Sequence, residues 1–299
     1  MAYRPFLTRV TRVRRLSPTF TRVTVAGESL VEFAGHGFDQ RINLLFLADE
    51  DEHLGYVDEP DWFGRWRDTP TRRRAPLRTY TVRAFRPADR ELDIDFVVHG
   101  DTGPATRFAT TARTGDPLTV IGPVVGHPAT DVAWAPPPLA TRLLLAADAA
   151  ALPAAASIAE SIPAGTTTTV VLEVPEPADV VELDVARDVD LVWLVGSRGE
   201  RLAQVVRELA PGLSLPAAAP DGAPAPAAGG PPDDADNADE DPWQVPGPDD
   251  DRRVGGYAWL AGEAGTVVAL RRFLVGDCGV DRRAVAFMGY WRRGRAQPN

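Results

Sequence analysis

Pro76–Arg83, PLRTYTVR, is the stretch whose reading decides the fold. Thr79, Tyr80, Thr81 and Val82 all favour pleated backbone and predict a strand. With a two-residue period, Arg78 and Tyr80 project from one face. A fixed guanidinium grips a phosphate through two bonds, and a neighbouring phenol ring offers a flat stacking surface. Thr81, one step further, supplies a hydroxyl and an amide at ring level. Phosphate, flat ring and polar ring edge describe a flavin nucleotide. An ordinary barrel strand with polar faces accounts for the same residues, so the decision rests on what surrounds them.

Working outward, Asp95–Gly100 reads DFVVHG and Gly103–Thr106 reads GPAT. Later come ADAAALPA at Ala147–Ala154, WLAGEAGTVVALRRFL at Trp259–Leu274 and GYWRRG at Gly289–Gly294. In these islands the chain resembles the siderophore-interacting protein family, flavin-dependent ferric-siderophore reductases of the ferredoxin-NADP reductase type. The resemblance runs from Val10 through Arg293 with one insertion. Its early islands mark flavin-reductase barrels broadly, whereas the last pair is more particular to this family.

The resemblance implies an N-terminal antiparallel flavin-binding β-barrel followed by a C-terminal α/β NAD(P)-binding domain with a parallel sheet. The boundaries expected are 1–128 and 139–299. FAD is expected on Arg78, Thr79, Tyr80, Thr81, Asp95, Val97, His99, Gly103, Ala105 and Thr106. NAD(P)H, the expected electron donor, would meet Asp148, Ala261, Gly262 and Glu263, with Tyr290 or Trp291 near the flavin. Glu263 has a second reading, as an acid placed favourably at a helix N-terminus. A ferric siderophore is the implied substrate, oriented by Arg72, Arg73, Arg74 and Arg271. Two departures stand out: Asn43 occupies a position where the family often has lysine, and Asp148-Ala149-Ala150-Ala151 replaces Asp-Glu-Thr-Ala. The second departure keeps open a ferredoxin-like donor protein, and a non-enzymatic ferric-siderophore binder is a further alternative.

Composition narrows the classes. The 299 residues suit two medium domains, with 44% hydrophobic residues to fill their cores. The net charge of −10 is concentrated: Leu213–Asp251 holds ten acidic residues and no basic one, and the remainder balances 32 acids against 32 arginines. Nucleic acid is therefore not expected as a partner. A single cysteine, Cys278, excludes an internal disulfide framework and a cysteine-ligated cluster. His36, His53, His99 and His127 lack metal-ligand spacing. Neither an apolar leader nor a membrane-length apolar run occurs, so a cytoplasmic protein is expected; a monomer is the expected state.

Alternation predicts strands on both sides of Ser17-Pro18 within Arg9–Ala26, at Arg41–Ala48 and at Glu91–Val98, with Leu118–Gly122 closing the barrel. Asp49–Arg74 reads as an irregular polar segment pinned by Trp62, Phe63 and Trp66, and its five arginines form a cationic rim. A helix over Ala105–Ala112 would turn its N-terminal amides toward pyrophosphate. In the second half, strands are expected at Thr141–Ala147, Thr167–Glu173, Val180–Leu183, Leu191–Val195 and Tyr257–Ala261. Helices are expected at Leu152–Ile162, Glu200–Leu209 and Thr266–Leu274. No GxGxxG follows the first of these strands. The Pro/Ala/Gly/Asp tract at about 213–252 is too poor in apolar residues to order itself and reads as a disordered insertion, with Trp243 a local anchor.

Overall fold

The structure, a computed structural model, describes residues 3–47, 50–57, 59–98, 103–138, 140–196, 199–210, 243–244 and 256–294. His99 and nearly all of the acidic insertion lie outside the described residues. The chain divides into two compact units between Val132 and Ala133.

The first unit holds β1 (Tyr3–Arg15), β2 (Phe20–Ala26), β3 (Arg41–Leu45), β4 (Leu77–Thr81), β5 (Ala84–Arg86), β6 (Glu91–Val97) and β7 (Pro117–Pro123). Their order is β4-β3-β7-β1-β2-β6-β5, antiparallel throughout. The two edges, β4 and β5, are neighbouring pieces of one chain run. Val82 N donates to Gln40 O and Arg83 N to Asp93 O, so this run carries the chain from one edge of the curled sheet to the other. β7 is an interior strand between β3 and β1. Period-two alternation fills the inside with Val23, Val25, Leu92, Ile94 and Phe96, while Arg22, Thr24, Asp93 and Asp95 take the opposite face.

Asp49–Arg74 is not irregular. It contains α1 (Glu50–Val57) and α2 (Trp62–Asp68). The Asp61 carboxylate accepts from Gly64 N and starts α2. Trp62 and Trp66, one helical turn apart, then pack with Phe63 and Tyr56 on Leu45 and Ile121 of the sheet. The aromatics do pin the segment to the barrel. α3 (Pro104–Thr111) follows β6, with Pro104 in its first turn and Gly103 as N-cap.

The second unit is a mostly parallel sheet of β8 (Arg142–Ala147), β9 (Thr167–Val174), β10 (Val189–Val195), β11 (Trp243–Gln244), β12 (Gly256–Glu263) and β13 (Val285–Trp291). Their order is β10-β9-β8-β12-β13-β11, antiparallel only at β11, where Trp243 and Gln244 pair with Met288 and Phe287. Helices α4 (Leu152–Ser161), α5 (Gly199–Leu209) and α6 (Ala264–Arg272) alternate with these strands. The strand expected at Val180–Leu183 is absent. Pro177 opens a short 3-10 turn, and the buried Asp179 carboxylate closes it by accepting from Glu176 N at 3.1 Å. No helix among the described residues is long and apolar enough to cross a membrane.

Candidate functional site

The first cluster lies on β4. Arg78 and Tyr80 share the face of Leu44 and Ile42, their partners on β3. Both are half-buried. Tyr80 lies 4.5 Å from Phe96, which is 6.1 Å from Phe108 of α3, so the strand and the helix share one aromatic patch. Burial lowers the Arg78 guanidinium pKa and raises that of the Tyr80 phenol, each shift tempered by their mutual attraction. Thr79 points the other way and donates to Asn43 Oδ1 at 2.9 Å. The departure at residue 43 is thus paired with a residue of the flavin motif. Thr81 is buried and Val97 half-buried.

Gly103 has extended backbone, with φ of −177°, and no side chain caps α3. A Cβ on Gly103 would meet nothing within 4 Å, and the first turn of the helix carries no acid. Among the described residues, the amides near Ala105 and Thr106 meet no acid of the helix's own first turn, at a helix end that favours negative charge. A half-buried guanidinium, a phenol and an uncapped helix N-terminus fit the phosphate and ring of FAD.

Asp95 lies on the face of β6 opposite Phe96. Arg22 grips it with both arms, Nε to Oδ1 at 2.6 Å and an Nη to Oδ2 at 2.8 Å, and Arg83 lies 3.9 Å away. Beside it, Arg86 forms a fork on Asp93 with two bonds of 2.8 Å, and Thr24 adds one of 2.7 Å. For Asp93, burial pushes the carboxyl pKa up, but the Arg86 and Thr24 bonds outweigh it and the net shift is down. This charged lattice joins β2, β6 and β5. Motif reading missed it; the signal was the polar alternation Arg22/Thr24 facing Asp93/Asp95.

The second cluster collects the carboxyl ends of β8, β12 and β13. Asp148 Oδ1 accepts from Ala150 N and Ala151 N at 2.9 and 3.3 Å. Its Oδ2 accepts from Glu263 N at 2.8 Å and from Trp291 Nε1 at 2.7 Å. Burial raises the Asp148 pKa against the pull of those four donors. Gly262 has φ of +148°, and a Cβ there would sit 2.5 Å from Asp148 Oδ2. The glycine makes room for the Asp148 carboxylate. Glu263 caps α6: its Oε2 accepts from Thr266 N at 2.8 Å, and its Oε1 accepts from Arg293 N at 3.3 Å. Burial pushes the Glu263 pKa up, but these bonds prevail and hold it down. Of its two readings, the helix cap is the one the geometry adopts. Ala261 is buried, and its carbonyl accepts from Asp148 N.

The four candidate substrate arginines belong to two different units. Arg72 and Arg73 are exposed on the first unit. Arg74 lies over Trp66 at 4.9 Å and donates to the carbonyls of Thr69 and Arg67, which fixes the end of α2. Arg271 belongs to the second unit, 4.8 Å over the Phe287 ring.

Two family models match along the chain. "Siderophore-interacting FAD-binding domain" covers residues 9–127, and "Siderophore-interacting protein" covers residues 140–294. The ferric vibriobactin reductase of Vibrio cholerae is 29% identical over 97% of this chain and 90% of its own. An NADPH-dependent ferric-chelate reductase of Escherichia coli is 38% identical over 38% of this chain and 42% of its own. The crystal structure of the siderophore-interacting protein SipS from Aeromonas hydrophila superposes with a TM-score of 0.68 at 29% identity, covering 99% of this chain and 94% of that one.

Proposed function

Because the chain belongs to the siderophore-interacting protein family, we propose that it is an FAD-containing oxidoreductase that uses NAD(P)H to reduce ferric siderophores. The observation that carries this reading is the β4–α3 cradle: half-buried Arg78 and Tyr80, joined through Phe96 and Phe108 to an uncapped helix N-terminus. In this reading residues 1–128 bind the flavin and residues 139–299 bind the nicotinamide nucleotide. Arg78 neutralises a phosphate, the α3 amides near Ala105 and Thr106 bond to phosphate oxygens, and Tyr80 covers ring surface.

FAD, when bound, supplies acceptance of a hydride and release of single electrons. Siderophore oxygens are hard donors that hold Fe²⁺ less tightly than Fe³⁺, so reduction of the substrate iron frees it from the chelate. The protein's part is binding and orientation, and no side chain need act as nucleophile or general base. Exposed Arg72 and Arg73 supply charge that attracts an anionic chelate. The reading includes a monomer working in the cytoplasm.

Anaerobic stopped-flow mixing tests it. Flavin-loaded protein is mixed with NADPH or NADH, then with a ferric siderophore, and released Fe²⁺ is followed with ferrozine. Flavin bleaching followed by Fe²⁺ release is expected. Bleaching only with reduced ferredoxin would assign the donor role to a protein partner, the alternative that Ala149 and Ala150 favour. Protein that binds no flavin would leave only a ferric-siderophore binder.

A further inference from the structure

In an open parallel sheet, ligands bind beyond the carboxyl ends of the strands, where successive connections depart in opposite directions. Here β8 leads to β9 and β10 on one side, whereas β12 lies on the other side of β8. The switch point is therefore between β8 and β12, and Asp148, Gly262 and Glu263 stand at its mouth. No glycine-rich fingerprint lies there. In its place is a buried carboxylate that ties three strand ends together.

One feature of this knot is not explained by strand tying alone. Gly262 pairs with Gly289, but Glu263 pairs with Trp291, so β13 carries one extra residue at its end. A bulge shifts the alternation of the strand by one and re-aims the side chain that follows. The re-aimed residue is Trp291. Its indole N–H reaches Asp148 Oδ2 at 2.7 Å, yet the residue remains 43% exposed. A large aromatic pinned by its polar edge and left half in solvent resembles an unfilled stacking surface.

We propose that Asp148 is a positioning residue that holds the Trp291 indole as a stacking wall for the nicotinamide ring of the dinucleotide. The assignment rests on the NAD(P)H-dependent reading above and adds two residues with distinct roles. Trp291 touches the ligand, and Asp148 acts through Trp291 and through the amides of Ala150 and Glu263. Glu263 is held in place as the cap of α6 and by the chain end near Arg293.

The test uses the full-length holoprotein and NADP⁺ as probe. Affinity is measured by calorimetry and by quenching of tryptophan emission. W291F keeps a ring but loses the N–H that pins it, W291A loses both, and D148A removes the acceptor. Loss of a stacked aromatic weakens binding about tenfold. About that loss is expected for W291A, a smaller one for W291F, and disappearance of part of the NADP⁺-induced quench in both. W291F leaves every backbone bond to Asp148 in place, so it should melt close to wild type even where D148A does not fold. Where D148A folds, D148A/W291F should bind no more weakly than D148A alone. Wild-type affinity in W291A, an unchanged quench in W291F, or additive losses in the double variant would overturn the proposal. Absence of NADP⁺ binding to wild type would do the same. Photoreduced wild type is also mixed with a ferric siderophore, without nucleotide, and should reduce it. Failure of wild type in that step would sink the reductase reading, while the binding comparison would still decide the role of Trp291.

Discussion

Gly262→Ala should destabilise the second unit severely while leaving the first intact. The new Cβ would lie 2.5 Å from Asp148 Oδ2 and 2.6 Å from its Cγ. To reach an ordinary contact of about 3.4 Å the carboxylate must retreat by about 0.9 Å, enough to stretch bonds of 2.7 and 2.8 Å to the edge of hydrogen-bonding distance. The backbone adds strain, because φ of +148° is glycine territory and costs an alanine about 1–3 kcal/mol. One weakened charge-assisted bond adds about 1.5–3 kcal/mol. Together these approach about 4 kcal/mol, and a unit of this size loses roughly 2–4 °C per kcal/mol. Scanning calorimetry should show the second unit melting on the order of 10 °C lower, with FAD absorbance of the purified protein unchanged. Gly276→Ala is the control, since a Cβ there meets nothing within 4 Å and its φ is unstrained. A drop below about 3 °C for Gly262→Ala, or an equal drop for the control, would refute the packing argument.

Four further outcomes follow from the same geometry. Arg78→Ala should cost about 1.5–3 kcal/mol of FAD affinity, read as a Kd raised at least tenfold by flavin fluorescence, and retention of full yellow colour would contradict it. The depressed Asp93 carboxyl stabilises the barrel above its unfolded pKa of about 3.9, and that contribution is lost as pH falls through the lower folded value. Urea melts of Asp93→Asn should accordingly show lower stability at pH 7 and a shallower fall below about pH 4, and a curve parallel to wild type would refute the assignment. Neutralising Arg72 and Arg73, with Arg74 left to hold α2, should raise KM for an anionic ferric chelate at low salt and have little effect on a neutral one, because exposed charges act over a screening length of ~8 Å at physiological salt. Replacing residues 213–242 with a short Gly/Ser linker should preserve flavin content and turnover, since loop-closure cost varies slowly with length, provided that Trp243 and Gln244 keep their place beside β13.

Most of the fold was legible because its strands obey simple periods. Leu92, Ile94 and Phe96 alternate with Asp93 and Asp95, and one face of β6 is core while the other is a charged lattice. The apolar run at Leu143–Ala147 reads as a strand covered on both faces, which a parallel sheet requires. The failures occurred where local pattern and long-range partner disagree. Val180, Val181 and Leu183 look like a strand, but they follow the 3-10 turn at Pro177–Asp179 and belong to none of the described strands. α1 and α2 escaped notice because each is short and rich in polar residues. What makes them helical is packing against the sheet, at Leu45 and at Ile121, which lies more than fifty residues further along the chain.

The same distinction governs the sites. Arg78 and Tyr80 were readable because two residues of one strand suffice to place them on a common face. Asp148, Gly262 and Trp291 are 114 and 29 residues apart in turn, and their relation exists only once β8, β12 and β13 lie side by side. Sequence identifies the glycine as a place of close approach but not what approaches it. In a glycine-rich fingerprint the missing Cβ admits a ligand's phosphate to the backbone. Here the space is filled by the protein's own carboxylate, which then has an oxygen to spare for Trp291. A glycine kept for a ligand would show only the backbone strain of alanine in the unliganded protein and lose the rest on binding. One kept for Asp148 should fail at once, with or without nucleotide, and melting Gly262→Ala in both conditions separates the two roles.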